Sequence, residues 1–338
     1  MKKRRLGKSG IVVSEIGMGT MTFGSTCDEP TAFKVMDKAL DAGVDFFDTA
    51  EVYPVPPDEK YVFKTEEIVG KWLKARKRDS VIIASKVAGP GHGWFSPPVR
   101  SGKTALDRHS IMKAVEGSLK RLGTDYIDLY QTHWPDPDMY HEETLFALTE
   151  LVQSGKVRYI GCSNETPWGL MKSLWASEKN RLVRYESIQN NFSMLNRRFE
   201  DSLAEICKKE GVSLIAYSPL AGGVLSGKYN TNKIPENARF TKYAKLAERQ
   251  KKQSSRYLNE LTVGATAGFM KIAKEMGISV TTLAIAWSKQ NDFTASTLIG
   301  ANTVDQLNDS LKAADVIIPN EILDKINEVS KNIPYPMG

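Results

Sequence analysis

The sequence predicts one closed (β/α)8 TIM barrel, with an N-terminal β-hairpin and long loops at its C-terminal face. Three observations carry that expectation. Short β-rich runs alternate with amphipathic helical stretches about every 25 to 45 residues. Glycines stand just past one helical stretch after another, and the phosphate-binding fingerprint of the competing doubly wound fold is missing.

The elements follow in order. A hairpin is expected at 4–6 and 12–13, and apolar runs at 15–20, 44–49, 81–87, 127–133, 159–163, 187–190, 214–218 and 296–300 read as eight strands. Stretches of helical period lie between them, among them 32–42, 66–75, 110–122, 143–154, 200–210 and 268–276. Gly43, Gly123, Gly155, Gly211 and Gly277 follow helical stretches, where a left-handed residue ends a helix. A barrel of this kind needs about 250 residues. The chain has 338, so the surplus falls in loops, and 53–65, 88–107 and 220–261 look like insertions. Each follows a strand's C-terminal end, the face where such barrels build their sites. No linker divides 1–338 into separate domains. The doubly wound alternative would need Gly-x-Gly-x-x-Gly after its first strand. Here Gly17 and Gly19 are followed by Thr22 at the third position, so any nicotinamide cofactor is held another way.

Composition narrows the function. With 41% hydrophobic and 25% charged residues there is apolar material for a large core. The formal charge of +6 is scattered. Its densest clusters are the chain start from Lys2 to Arg5 and the stretch from Lys74 to Arg78, where cations suit the end of a helix. No recognition motif accompanies the charge, so nucleic acid is not an expected partner. Cys27, Cys162 and Cys207 are odd in number and widely spaced, which fits a reducing compartment and no disulfide framework. Neither they nor His92, His109, His133 and His141 have zinc-ligand spacing, so no metal is expected. With no secretory signal and no run of about 18 apolar residues, the expected location is cytoplasmic and no membrane is involved.

The chemistry stands at the strand ends. Asp48 closes the second expected strand and Tyr53 follows it, Lys86 closes the third, and His133 closes the fourth. On a barrel, consecutive strand ends converge on one mouth. Charged groups there are costly to desolvate unless paired, and Asp48 and Lys86 can pair. Alone, such an Asp caps a turn, such a Lys is solvated, and such a Tyr or His packs. Four on adjacent strand ends outweigh those separate explanations.

These residues and their surroundings resemble the aldo-keto reductase superfamily. FFDTAEVY, IIASKV, DLYQTHWPD, VRYIGCSN and AYSPLAGGVLSGKY are similar to its motifs, in its order, over about residues 6–318. YPVPP, IQN and LIGA are most similar to the branch of bacterial Tas-like enzymes and potassium-channel β-subunits. The resemblance implies NADPH-dependent reduction of aldehydes and ketones to alcohols, with a small carbonyl compound as substrate. Tyr53 would be the general acid. A phenol of pKa about 10 is a weak acid for this work, and the expectation is that Lys86 lowers that pKa while Asp48 holds Lys86. His133 would donate a hydrogen bond to the substrate oxygen, and the cofactor would carry the hydride.

The same resemblance implies the NADP(H) site. Ser163, Asn164 and Gln189 would hold the carboxamide and Tyr217 would stack on the nicotinamide ring, with Thr20, Met21 and Asp48 beneath it. Ser218, Pro219, Leu220, Ala221, Gly222 and Lys228 would line the pyrophosphate, through backbone N–H groups and one cation. Gly300, Asn302, Gln306 and Asp309 match the adenosine end. Two departures matter. Pro54 stands where many members have Gly, and Asp305-Gln306 stands where many have an Arg for the 2′-phosphate. Arg239, from the seventh loop, is the expected replacement cation. The alternative function is a redox-sensing NADP(H)-binding module like the channel β-subunits; those carry Asn where this chain has His133, which favours turnover.

Overall fold

Strands covered on both faces read as continuous apolar runs, because neither face alternates with water. The computed structural model describes residues 1–91, 96–246, 248–331, 333 and 337, so His92 and part of the second insertion lie outside the described residues. In chain order the strands are β1 (Lys3–Arg5), β2 (Val12–Ser14), β3 (Ile16–Gly19), β4 (Phe46–Asp48), β5 (Ile82–Val87), β6 (Ile127–Thr132), β7 (Val157–Ser163), β8 (Tyr185–Asn191), β9 (Ser213–Tyr217) and β10 (Thr294–Ile299). The first two form an antiparallel hairpin, and the other eight form a closed parallel barrel. Closure comes from β10, which pairs Thr297 with Ile16 on one side and Thr294 with Leu214 on the other. The expected barrel and hairpin are therefore observed. Strand β7 starts two residues before the expected 159, because Val157 is buried and pairs with Ile127.

The helices are α1 (Glu29–Asp41), α2 (Lys64–Leu73), α3 (Arg108–Leu122), α4 (His141–Gln153), α5 (Pro167–Asn180), α6 (Leu203–Glu210), α7 (Arg239–Tyr243), α8 (Glu248–Tyr257), α9 (Glu260–Glu275), α10 (Val280–Gln290), α11 (Asp305–Lys312) and α12 (Asn320–Lys331). All five glycines expected at helix ends have positive φ. Helix α9 begins well before the expected 268, because Asn259 caps it and accepts the Thr262 N–H at 3.0 Å. The third insertion, expected to be a loop, contains the two short helices α7 and α8.

The interior is built in layers. Leu6, Ile11 and Val13 of the hairpin pack on the inward Phe46, Ala84, Leu129, Ile215 and Leu298, which closes the N-terminal end with apolar side chains. Side chains of a strand alternate between its faces. The next inward positions along β4, β5 and β6 are therefore Asp48, Lys86 and Gln131. An apolar floor thus leads directly to a polar layer that opens toward the C-terminal mouth.

Outside the barrel, α2 and α3 approach closely at Gly70. A Cβ there would lie 2.2 Å from the Arg121 carbonyl oxygen and 2.8 Å from the Leu122 Cα. In an exposed helix Gly→Ala stabilises by about 1 kcal/mol. Here the sign reverses: Gly70→Ala should destabilise the protein by about 1–3 kcal/mol, the scale of overpacking. Urea unfolding of the two proteins measures it, and a stabilised variant would show that α2 and α3 can separate freely.

Candidate active site

The polar layer is held by one buried ion pair. Lys86 and Asp48 are 0% and 2% exposed, and the Lys86 Nζ donates to Asp48 Oδ2 at 2.5 Å and to the Thr49 carbonyl at 2.8 Å. Asp48 Oδ1 accepts from Gln131 Nε2 at 3.1 Å and from Gln189 Nε2 at 2.8 Å. Both charges are therefore hydrogen-bonded on every side away from the mouth, as buried charges require.

Tyr53 lies beyond the end of β4, but its turn is stitched to β5. The N–H groups of Thr49 and Glu51 donate to the carbonyls of Ala84 and Lys86 at 2.9 and 3.3 Å, and the Tyr53 N–H donates to Ala50 at 3.1 Å. This places Tyr53 Oη 3.4 Å from Lys86 Nζ. The Tyr53 and His133 rings meet edge to face, with centroids 5.5 Å apart. Burial raises the Tyr53 pKa above the ordinary value; Lys86 pulls it down, and Asp48 pushes it up. Lys86 acts in the expected direction, but burial outweighs it and the net direction is upward. Burial works against charge on Lys86 as well, but Asp48 and then Tyr53 hold its ammonium above the ordinary lysine value. His133 is pushed well below the ordinary histidine value by burial first and by Lys86 second, so it is neutral near pH 7. Its Nδ1 is buried without a hydrogen-bond partner.

Above these groups is a cavity of about 160 Å³. Tyr53 and His133 form its base, and Val52, Val55, Pro56, Pro57 and Trp134 form an apolar wall. Arg249, Gln250 and Gln253 reach it from α8, so the third insertion does lie at the mouth. A wider hollow of about 530 Å³ opens at the strands' other end beside Asp128 and Arg158. Its chemistry is spent on structure, since Asp128 accepts from Arg78 and Arg158, each at 2.6 Å.

The residues expected to hold the nucleotide fall into three groups. Around the mouth, Ser163 Oγ and the Asn164 N–H donate to the Gln189 carbonyl, Asn164 Nδ2 donates to the His133 carbonyl at 2.9 Å, and Tyr217 Oη donates to Asn164 Oδ1 at 2.7 Å. Thr20 is buried and gives its hydroxyl to the Asp48 carbonyl at 2.8 Å, and Met21 is half-buried beside it. After β9, the expected cradle of N–H groups is already occupied. Ala221, Gly222 and Gly223 donate to the Ser218 carbonyl, Ser218 Oγ and the Leu220 carbonyl within the turn after Pro219. Gly222 is at φ 65°, and a Cβ there would lie 2.4 Å from the Phe240 ring. Past β10, which ends before Gly300, the Asn302 N–H donates to Gln306 Oε1 at 2.8 Å, and Asp309 pairs with Lys312 at 3.1 Å.

Lys228 and Arg239 lie within reach of each other's charge. Lys228 is held below the ordinary lysine value by burial first and by the charge of Arg239 second. The residues present are thus compatible with a nicotinamide dinucleotide. Two cations stand near each other, Lys228 and Arg239, and the buried Oδ1 atoms of Asn190 and Asn191 have no hydrogen-bond partner.

Sequence reasoning missed Gln131, Thr49, Arg100 and the α8 face. Gln131 sits two residues after the inward Leu129 on β6, so the period of 2 could have marked it as inward. Arg100 could not have been read, because its carboxylate partner Glu51 is far away in sequence. It donates to both Glu51 oxygens at 2.7 and 2.8 Å, and Glu51 also accepts the Ala88 N–H at 2.7 Å.

A parallel barrel whose mouth gathers an aspartate, a lysine, a tyrosine and a histidine over an apolar floor defines a class of barrel oxidoreductases. The aldo/keto reductase family model matches residues 15–331, and this chain belongs to that family. It is 40% identical over 354 positions to Protein tas of Escherichia coli, covering 99% of both chains. It is 37% identical to the uncharacterized oxidoreductase YrpG of Bacillus subtilis, over 100% of this chain and 98% of that one. A probable voltage-gated potassium channel subunit beta of Arabidopsis thaliana is 33% identical, over 99% and 98%.

The buried pair yields a stability test. Removing one partner of such a pair strands the other charge and costs about 3–5 kcal/mol. Asp48→Ala should lose that much in urea unfolding, while the double variant Asp48→Leu with Lys86→Met should lose clearly less than the sum of its parts. Simple additivity would mean that the two charges are solvated independently.

Proposed function

We propose that this protein reduces aldehydes and ketones to alcohols with NADPH, as a single barrel domain in the cytoplasm, with Tyr53 as the general acid. The observation that carries the reading is the chain of contacts from Asp48 through Lys86 to Tyr53 Oη, at 2.5 and 3.4 Å, beneath a cavity that also holds His133. Ser163, Asn164, Gln189 and Tyr217 would hold the nicotinamide, with Lys228 and Arg239 at the phosphates. Bound there, the cofactor supplies the hydride.

The protein's own part is the proton. A carbonyl oxygen in the cavity meets the Tyr53 hydroxyl and a His133 N–H. The raised pKa of Tyr53 keeps the phenol protonated and ready to donate. On reduction of the carbonyl, the Tyr53 proton would pass to its oxygen, and the phenolate left behind would be matched by the Lys86 ammonium. His133 is neutral, so it would stabilise the developing oxyanion with the one N–H that a neutral imidazole carries. The Thr49 carbonyl holds Lys86, and Gln131 and Gln189 hold Asp48, through hydrogen bonds. The three buried thiols are free, in keeping with a reducing compartment.

Tyr53→Phe removes only the hydroxyl. It should lower kcat for a panel aldehyde by about 10² to 10⁴, the worth of a positioned acid, with NADPH affinity within a few-fold of the parent. Turnover within about tenfold would remove Tyr53 from its role. Tight NADPH binding with no turnover by the parent on any aldehyde or ketone would favour the redox-sensing alternative.

Arg239 is assigned to the 2′-phosphate, which is costly to desolvate without a cation. Arg239→Ala should weaken NADPH by about 1.5 to 3 kcal/mol, the scale of a charged hydrogen bond, and leave NADH almost unchanged in fluorescence titration. Equal losses for both nucleotides would move Arg239 to the pyrophosphate.

A further inference from the structure

Lysines and arginines occur all along the chain, but their excess over acids does not. The third insertion, residues 220–261, holds nine of the 46 lysines and arginines and three of the 40 acids. The remaining 37 of each sign cancel, so the whole formal charge of +6 belongs to this one segment. Folding keeps that charge together. The Phe240 ring of α7 stacks on Tyr257 of α8 with centroids 5.1 Å apart, and Ser254 of α8 donates to the Phe240 carbonyl. The charges of Arg239 and Arg249 both reach Tyr243, so the two helices start near each other. The unit also stands at the mouth. Helix α8 lines the cavity over Tyr53 as its lid, and α7 begins at Arg239, whose charge reaches Lys228.

Four of these cations, Lys242, Lys245, Lys251 and Lys252, are exposed and do not line the cavity. Elsewhere on the surface, lysines such as Lys64, Lys71 and Lys156 are paired with Glu67, Glu29 and Glu116. None of the four is in an ion pair among the described residues. Exposed charges of one sign add little to packing, but their field acts through water over a Debye length, about 30 Å at 0.01 M salt and about 8 Å at 0.15 M. The 2′-phosphate and pyrophosphate of NADPH together carry about three to four negative charges. A rim of one sign beside a low-dielectric cleft focuses the attraction and raises association rates by about 10 to 10³. We propose that the α7–α8 insertion is an electrostatic guide that speeds capture of the anionic nucleotide, through exposed lysines that act before contact and do not hold it afterwards. This rests on the reading of the barrel mouth as an NADP(H) site. It gives the four lysines a role different from that of Arg239, because a contact residue acts on dissociation and a guide acts on association.

Stopped-flow quenching of tryptophan fluorescence by NADPH reads association and dissociation separately. A variant with Lys242→Gln, Lys245→Gln, Lys251→Gln and Lys252→Gln together should associate about tenfold more slowly at about 0.01 M salt, with dissociation within about twofold of the parent. At about 1 M salt, where the Debye length is about 3 Å, the two proteins should associate within about twofold of each other. A control of equal charge replaces Lys74, Lys77, Lys113 and Lys120 by Gln. These lysines flank β5, across the barrel from β9, and their loss should change association by less than about twofold. In the parent, association of NADH, which lacks the 2′-phosphate, should fall less steeply with salt than that of NADPH. The proposal is overturned by parent association that ignores salt, by equal slowing in the mouth and control variants, or by a loss that appears in dissociation instead. Both rates are read without turnover. If the parent captures NADPH in the expected way yet reduces no aldehyde or ketone, the reductase reading fails and the guide stands. If it reduces aldehydes while its association ignores salt, the guide fails and the reductase reading stands. Absence of NADPH binding overturns both.

Discussion

A lysine and an aspartate inside a closed barrel have no water to solvate them, so each must be satisfied by protein groups. The penalty for burying an ion is several kcal/mol even after relaxation. Here it is met by a complete set of partners, with Thr49 and Tyr53 on the lysine and Gln131 and Gln189 on the aspartate. The rest of the mouth is tied to the same set. Gln189 offers its carbonyl to Ser163 and Asn164, and Asn164 bridges to His133 and Tyr217. A shift of Asp48 would thus be felt at most side chains of the site. The apolar layer below fixes the position of the pair, because Phe46, Ala84 and Leu129 are the inward residues just before Asp48, Lys86 and Gln131.

The pair also explains why Tyr53 departs from the simple expectation. A lone ammonium 3.4 Å from a phenol would make it more acidic. This ammonium is already matched by Asp48, so the phenol faces a nearly neutral couple, and its own loss of solvent decides the direction. Lys86 therefore lowers the resting pKa of Tyr53 without setting its net direction, and under the proposed function its charge would match the phenolate once it forms. The distinction matters for catalysis, because only interactions stronger in the transition state than in the ground state raise the rate.

Much of this was legible in the sequence because it rests on local rules. Alternating strands and helices gave the barrel, and glycines past helical stretches marked left-handed turns that have positive φ in the structure. Residues such as Asp48, Lys86 and His133 stood out because charge is unexpected at the end of an apolar run. Gln131 did not, since an uncharged amide in a strand looks the same whether it faces solvent or an ion pair. The turn after β9 shows a related limit. The resemblance placed a phosphate against its N–H groups, whereas the structure has Ala221, Gly222 and Gly223 donating within the turn, and Phe240 lies where a side chain at Gly222 would stand. Which of two purposes a glycine serves depends on a neighbour 18 positions away, counting from Gly222 to Phe240.

The lid over the cavity shows the same limit at larger scale. Helix α8 is so polar that its sequence reads as a loop or a solvated helix. Its position depends on a few contacts: Ser254 Oγ donates to the Phe240 carbonyl, Tyr257 stacks on the Phe240 ring at 5.1 Å, and Asn191 donates to Tyr257 Oη. At 100° per residue, Arg249, Gln250, Gln253, Ser254 and Tyr257 fall within roughly 140° of one face. The residues that anchor the helix and those that face the cavity therefore share a single surface, and anchoring one set aims the other. The chemistry at the base belongs to the barrel, whereas the chemistry at the lid belongs to an insertion held by its own small cluster. A change on the cavity side of α8 therefore reshapes the space over Tyr53 without touching the hydrogen bonds of the Asp48–Lys86 pair, because no residue of α8 is among that pair's partners.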